Sequence, residues 1–416
     1  MADKSIYPFP RMEKLLPAGK GFAGIENKVR QATSELSPQL IALARKIHGH
    51  PEPAFAERQA SAWLKEFLRG EGFTIESGLV RLPTAFRASC RWKSASPSVA
   101  FLAEMDALPG LGHACGHNLI AASSAGAAAV LRRVLPNTPG TLTVIGCPAE
   151  EVGGGKVRLA RAGVFDRLDA ALLVHPAIVT EIYKLSLGLI EMELTFLGQA
   201  AHAAAEPHRG INALEAVIQT FNAVNALRQH LPEKARVHGI ITEGGVAPNI
   251  IPERAAARFL ARGMTMAETR AIARRILSSA KGAAQATGSR LRAKVFYKEA
   301  YEPFVPNRAL GETFTRALQQ LKIPIQQGPE DKEMGSTDVG NVSSRTPTLH
   351  PTLAIPGTDA ACHSPGFALA AGSDAAMETM FAAVQALALT GAEVLRNARL
   401  RQKMREEFLA LRRRRK

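Results

Sequence analysis

Residues 104–118, EMDALPGLGHACGHN, hold the densest run of side chains able to do chemistry: His113, Cys115 and His117 alternate between glycines. Imidazole and thiolate are ligands for divalent metals, glycine lets the backbone approach closely, and Asn118 can cap a following helix. Alternation aims the three side chains to one side only where the backbone is extended. The alternative is a buried thiol between hydrogen-bonded histidines. Glu150 and Glu151 directly follow the apolar run TLTVIGC, where unpaired burial of two carboxylates is costly. Adjacent carboxylates can divide labour, one binding a metal while the other takes a proton from water; on a surface the pair carries no meaning. The GGGK that comes next frees the backbone. His175 closes the run DAALLVH before Pro176, and His363 ends TLAIPGTDAACH. Either histidine alone fits a packing or capping role as well as a ligand role. Four separate apolar runs that each end in ligand-type residues favour a metal site over coincidence.

Those runs, at 98–106, 141–151, 169–176 and 352–363, are near-continuous in apolar residues and alternate with helical stretches. Such a pattern predicts buried strands of a mainly parallel sheet, whose ligand crevice lies beyond the carboxyl ends of the strands. Helical spacing also predicts helices over about 26–48 and over ERQASAWLKEFLRGEGF. Between about 187 and 298 the texture changes. LIEMELTFLG alternates as a half-exposed strand, 211–231 reads as a helix, RVHGIITEG and AAARFLARG as strands, 265–286 as a helix and SRLRAKVFYK as a strand. The order β-α-β-β-α-β predicts a separate α+β domain inserted into the first. The expected organisation is α/β: a mainly parallel-sheet catalytic domain over 1–187 and 301–416, with an inserted domain over 188–300.

With 416 residues, 46% hydrophobic and 21% charged, the chain is too long for one small module and apolar enough for a large core. The formal charge of +15 raises nucleic acid or an acidic surface as a partner, but its distribution argues otherwise. Residues 396–416 carry ten Lys and Arg against Glu406 and Glu407, so just over half of the excess sits in one terminal segment. A solvated, fraying basic helix end is expected there, the alternative being a weak anion, membrane-surface or nucleic-acid contact. Four cysteines in such a length make no disulfide framework and point to a reducing compartment. The opening MADKSIYPFPRMEKLLPAGK has charges and prolines where a signal peptide has its apolar stretch, and the apolar runs 119–131 and 379–392 are too short to span a bilayer. A soluble, cytoplasmic protein with no membrane or nucleic-acid partner is the expectation.

Taken in order, IHGHPEPAFAE, AEMDALPG, HACGHN, CPAEEVGGGK, VHP, GQAAHAAAEPHRGINALEA, GGVAPNIIPE, GSTDVGNVS and the late His363 resemble the aminoacylase and carboxypeptidase-G superfamily of metal-dependent amidohydrolases. Within it the motifs are most similar to the branch of auxin-conjugate hydrolases, aminobenzoyl-glutamate hydrolase and β-alanyl-lysine type dipeptidases. The resemblance covers nearly the whole chain. It implies two divalent ions, zinc or manganese, held by Cys115, His117, Glu151, His175 and His363, with Glu150 as general base and Asp106 orienting a ligand. It also implies a homodimer in which the inserted dimerisation or lid domain lends His202 to the partner's site to stabilise the oxyanion, with Asn249 and Arg262 gripping the substrate carboxylate. Asn118 stands where the branch often has aspartate, which fits the aminobenzoyl-glutamate and dipeptidase-like members. Glu104 stands where more distant carboxypeptidases place a histidine ligand, so a mononuclear site is the alternative to a dinuclear one.

The implied activity is cleavage of an amide bond in N-acyl or N-aroyl amino acids or short dipeptides, by metal-activated water with Glu150 as base. One alternative keeps the scaffold and hydrolyses another C–N bond, as in deamination of a small aromatic amine. A non-catalytic basic binding protein is a third reading, and a base set beside ligands argues against it.

Overall fold

The computed structural model describes residue 22 and residues 24–332 and 334–415. The Pro-rich opening, read above against a signal peptide, lies outside the described residues. Helices α1 (Glu26–Gly49) and α2 (Arg58–Gly70) precede strands β1 (Thr74–Ser77), β2 (Phe86–Trp92) and β3 (Ser98–Glu104). Then come α3 (His117–Val134), β4 (Gly140–Cys147), α4 (Gly155–Arg161), β5 (Ala170–Leu172) and β6 (His175–Ala177). A second unit runs β7 (Gly188–Leu197), α5 (Ala213–Arg228), β8 (Arg236–Glu243), β9 (Arg254–Gly263), α6 (Met266–Thr287) and β10 (Arg290–Val295). The chain closes with α7 (Arg308–Gln320), α8 (Val339–Ser343), β11 (Thr348–Leu349), β12 (Thr352–Ala354), α9 (Pro365–Ala371), α10 (Asp374–Arg396) and α11 (Ala398–Arg415).

The first unit is built on a six-stranded sheet of order β1-β2-β4-β3-β5-β11, parallel from β4 to β11 and antiparallel at the β1–β2 edge. Every residue of β3 is buried, because helices cover both faces. Val99, Phe101 and Ala103 join the core made with α1, α3 and α10, while Ala100 and Leu102 face Leu159, Phe165 and Val339 on the other side. The mainly parallel sheet read from the apolar runs is therefore present. One detail differs. The runs 169–176 and 352–363 do not extend the main sheet as single strands; β6 and β12 form a two-stranded parallel sheet of their own. Pro176 and Pro351 lack the amide hydrogen a continuous ladder needs, although Leu173 N to Leu349 O (3.2 Å) and His175 N to Pro351 O (2.9 Å) carry pairing across the break.

The second unit shows the element order expected of it. Its antiparallel sheet, β10-β7-β9-β8, has strictly alternating burial along β7 and packs that face on α5 and α6 around Phe196, Phe259 and Ile276. β8 is an edge strand, with Ile240 and Ile241 exposed.

At the C-terminus, α10 is long and apolar enough to cross a membrane by length and composition, yet most of it is buried in the protein, with Val384, Leu387 and Ala388 in the first core. The basic α11 does not match a wholly solvated, fraying end. Met404 is fully buried, Asn307 Nδ2 donates to Met404 O (3.0 Å), and Glu407 accepts from Arg308 N (2.6 Å) and Ala309 N (3.2 Å) at the start of α7. A carboxylate there meets unpaired amides and the positive end of the helix dipole, which holds α11 down despite its charge.

Candidate metal centre

The site lies beyond the carboxyl ends of β3 and β4. Asp106 follows β3 by two residues, Glu150 and Glu151 follow β4, Cys115 and His117 flank the start of α3, His175 opens β6, and His363 sits in the loop before α9. Gly112 (φ 67°) and Gly116 (φ 74°) break the extended path that the 113–115–117 alternation requires, so the histidines part company. His113 turns to stack near His48 (ring centroids 6.2 Å), and burial with the neighbouring His117 pushes it down to about 3, leaving it neutral. Gly116 is itself required: a Cβ there would lie 2.4 Å from Pro176 Cγ.

Donor atoms of Cys115, His117 and His175 lie within 4.8 Å of one another, as do those of Cys115, Glu151 and His363, and those of His117, Glu150 and Glu151. Cys115 Sγ is 3.3 Å from His175 Nε2, and His363 Nε2 is 3.3 Å from Glu151 Oε2. Both buried-side imidazoles are fixed by their other nitrogen. His175 Nδ1 donates to Pro176 O (2.7 Å), and His117 Nδ1 faces Asp106 O (2.9 Å) and Oδ1 (3.1 Å), leaving each Nε2 for the cluster. His117 Nε2 and Glu151 Oε1 are buried without a hydrogen-bond partner. Unsatisfied ligand atoms facing one another, in a set of thiolate, imidazole and carboxylate, fit a divalent ion.

The charges agree. Burial alone would lower His117, but Asp106, Glu104 and Glu151 raise it to about 10, so the metal-free pocket keeps a cation as imidazolium. Burial raises Glu150 well above the usual carboxylate range, and Glu104 and Asp338 add to it. A carboxylate with raised proton affinity suits proton transfer.

Asp106 ties two parts of the site together, since its Oδ2 also accepts from Glu151 N (3.0 Å). The loop carrying Glu150 is pinned elsewhere too. Buried Glu57 accepts from Ala149 N and Phe55 N (both 2.8 Å), and Tyr301 Oη donates to Glu150 O (3.2 Å). Ala149 is held in the left-handed region (φ 59°), and Gly155 has no room for a side chain, because a Cβ would meet Pro148 O at 1.9 Å. Behind Glu150 lies an ion triad that sequence reasoning missed. Fully buried Lys156 reaches Glu104 Oε1 (2.7 Å) and Asp338 Oδ1 (2.6 Å). Glu104, Glu150 and Asp338 lie within 4.8 Å of one another, and the Lys156 ammonium offsets that excess of carboxylate. Lys156 closes the GGGK motif and Asp338 lies in GSTDVGNVS; their presence there was the only available signal.

The inserted unit contributes unequally. Arg262, on β9, comes to the first unit, with Nη1 3.1 Å from Ser336 Oγ. His202 and Asn249 lie together in exposed loops joined by Ala203 N to Asn249 O (3.0 Å), and neither bonds to the cluster among the described residues. His202 Nδ1 accepts from Ala204 N (3.3 Å) and Ala205 N (3.1 Å), so its Nε2 carries the hydrogen and is a donor.

The sequence profile of peptidase family M20/M25/M40 matches residues 100–390. An Xaa-Arg dipeptidase of Mus musculus is 36% identical over 407 residues, covering 92% of each chain. One of the subunits of p-aminobenzoyl-glutamate hydrolase from Escherichia coli (strain K12) is 35% identical over 303 residues, covering 68% of this chain and 62% of that one. Among solved structures, a dinuclear metal-binding peptidase of Bacillus subtilis superposes with a TM-score of 0.62 at 22% identity, over 86% of this chain and 99% of the other.

Proposed function

Because the chain belongs to peptidase family M20/M25/M40 and is a metal-dependent hydrolase of amide bonds, we propose that it cleaves a dipeptide or an N-acyl or N-aroyl amino acid whose free carboxylate Arg262 binds. Arg262 carries this reading. Its guanidinium is partly buried, its Nε has no partner, and among the described residues it pairs with no carboxylate. A desolvated cation whose one polar partner is a hydroxyl lacks an anion that a substrate can supply. A dipeptide and an aroyl-glutamate, the substrates in the names of the two relatives, both offer such a carboxylate.

In this reading Cys115, His117, Glu151, His175 and His363 hold two divalent ions, zinc or manganese, with a mononuclear site as the alternative. When bound, the ions polarise the scissile carbonyl and acidify water. Glu150 takes the proton from the attacking water and returns it to the leaving nitrogen, and the raised proton affinity described above suits both halves of that transfer. Asp106 keeps His117 Nε2 directed into the cluster. His202 Nε2–H, from a second copy of the chain, donates to the carbonyl oxygen as it gains charge, with Asn249 beside it on the substrate. The homodimer this requires is supported by the exposed edge strand β8 and by Val246 and Ile250, exposed in the loop next to His202. A cytoplasmic setting fits four cysteines that are all free.

The test is turnover of a dipeptide and of the same dipeptide amidated at its C-terminus. Loss of the carboxylate should lower kcat/KM by roughly 10²-fold or more in wild type and by much less in Arg262→Ala. Equal turnover of the two substrates by wild type would refute the role of Arg262.

A further inference from the structure

Cys362 has no part in the reaction above, yet it lies against the centre. His363 N donates to Ala114 O (2.8 Å), which lays residues 362–363 alongside 114–115. The Cys362 and Cys115 side chains are thereby neighbours. Cys115 is buried in the cluster with Glu151 and His363, whereas Cys362 is exposed. The other two cysteines sit inside strands of the main sheet. Cys147 ends β4, with its thiol donating to Ile145 O (3.3 Å), and Cys90 lies within β2 opposite Leu142. We propose that Cys115 and Cys362 are an oxidation site: in the metal-free protein they close to a reversible disulfide, which removes a thiolate from the metal centre and switches it off. The switching half rests on Cys115 being a ligand, as read above.

The oxidant class is a small peroxide. The exposed Cys362 thiolate attacks one peroxide oxygen, breaking the O–O bond; Cys362 becomes a sulfenic acid, and the other oxygen leaves as water after taking up a proton. Cys115 sulfur then attacks the Cys362 sulfur, the S–O bond breaks, and the departing hydroxide takes the Cys115 proton as a second water. Two thiols lose two electrons and one peroxide gains them. A dithiol reverses the step through a mixed disulfide. A bound ion blocks it, because the Cys115 lone pair is then engaged.

The experiment uses the full chain, reduced, stripped of metal by a chelator and treated with equimolar hydrogen peroxide. Free thiols should fall from four to two, with the linkage mapped by peptide mass to 115 and 362. Zinc taken up afterwards, measured by elemental analysis, should fall by about one ion per chain, and dithiothreitol should restore both readings. Protein loaded with zinc before peroxide should form no 115–362 linkage and should keep its zinc. Reduced Cys362→Ser and Cys362→Ala should bind zinc as wild type does and should keep doing so after peroxide. Absence of the 115–362 linkage in treated apoprotein, or equal loss of zinc binding by the Cys362 variants after peroxide, overturns the proposal. The premise fails separately: if reduced Cys115→Ser keeps full zinc content, Cys115 is not a ligand, whatever the disulfide result.

Discussion

The centre beyond β3 and β4 and the rim of the inserted unit around His202 treat reactive side chains in opposite ways. At the centre each group is held by another. Asp106 holds both His117 and Glu151 N, Pro176 O holds His175, and Lys156 stands between Glu104 and Asp338. At the rim His202 and Asn249 are exposed and are fixed only by the backbone of their own loops, beside a Val246 that is 91% exposed. The centre is thus assembled within one chain, by burial and ion pairing. The role proposed for the rim requires another surface to reach it.

This contrast can be broken or sharpened by five measurements. Glu150→Ala should lower kcat by about 10²–10⁴-fold while the protein keeps its wild-type metal content. If metal is lost with activity, Glu150 is a ligand and the division of labour with Glu151 is wrong. Next, Lys156→Met leaves two buried carboxylates uncompensated and should cost about 3–5 kcal/mol in urea unfolding. An unchanged midpoint would mean that Glu104 and Asp338 take up protons in place of the lysine, and the centre is less dependent on its ion triad than its geometry suggests.

At the rim, His202→Ala should lower kcat by about 10²-fold without moving Tm, since removal of an exposed side chain leaves the core intact. Mixing inactive Glu150→Ala and His202→Ala chains should restore about a quarter of wild-type activity if the histidine acts across a two-fold dimer. No recovery on mixing would place His202 in its own chain's chemistry. The smallest signal is a proton count. Metal-free His117 keeps its proton up to about pH 10, whereas a ligand must be neutral, so loading zinc near neutral pH should release about one proton from it and affinity should rise with pH below that value. Calorimetry in two buffers of different ionisation enthalpy measures this; zero proton release would show that the ion does not displace the His117 proton.

Much of this was legible in the residues alone. The apolar runs gave away β3, β4 and β5 because a strand covered on both faces has no polar positions to interrupt it. The β-α-β-β-α-β order showed in the switch from alternating to helical periodicity. Cys115, His117, Glu150, Glu151, His175 and His363, which the structure gathers within a few ångströms, were readable as ligand types at strand ends. Glu57, Lys156, Asp338 and Tyr301 were not. Glu57, Asp338 and Tyr301 support the centre from distant parts of the chain and Lys156 from the helix that follows the glutamate pair, and a single glutamate, lysine, aspartate or tyrosine has no spacing that sets it apart from a solvated one. The tail was misjudged for a related reason: ten basic residues outweigh Glu407 in any count, but Glu407 alone meets the amides at the start of α7.

By itself, then, the sequence determined the element types, their order and the chemical classes of ligand gathered at the strand ends, because backbone periodicity and side-chain chemistry are local properties. Only the tertiary structure decided that His117 joins the cluster while His113 turns away, that Lys156 is buried among carboxylates, that Arg262 reaches the catalytic unit while His202 stays exposed, and that Cys362 meets Cys115. Those outcomes depend on which distant atoms share one desolvated volume, and on the electric field they set up there, and neither is encoded in spacing along the chain.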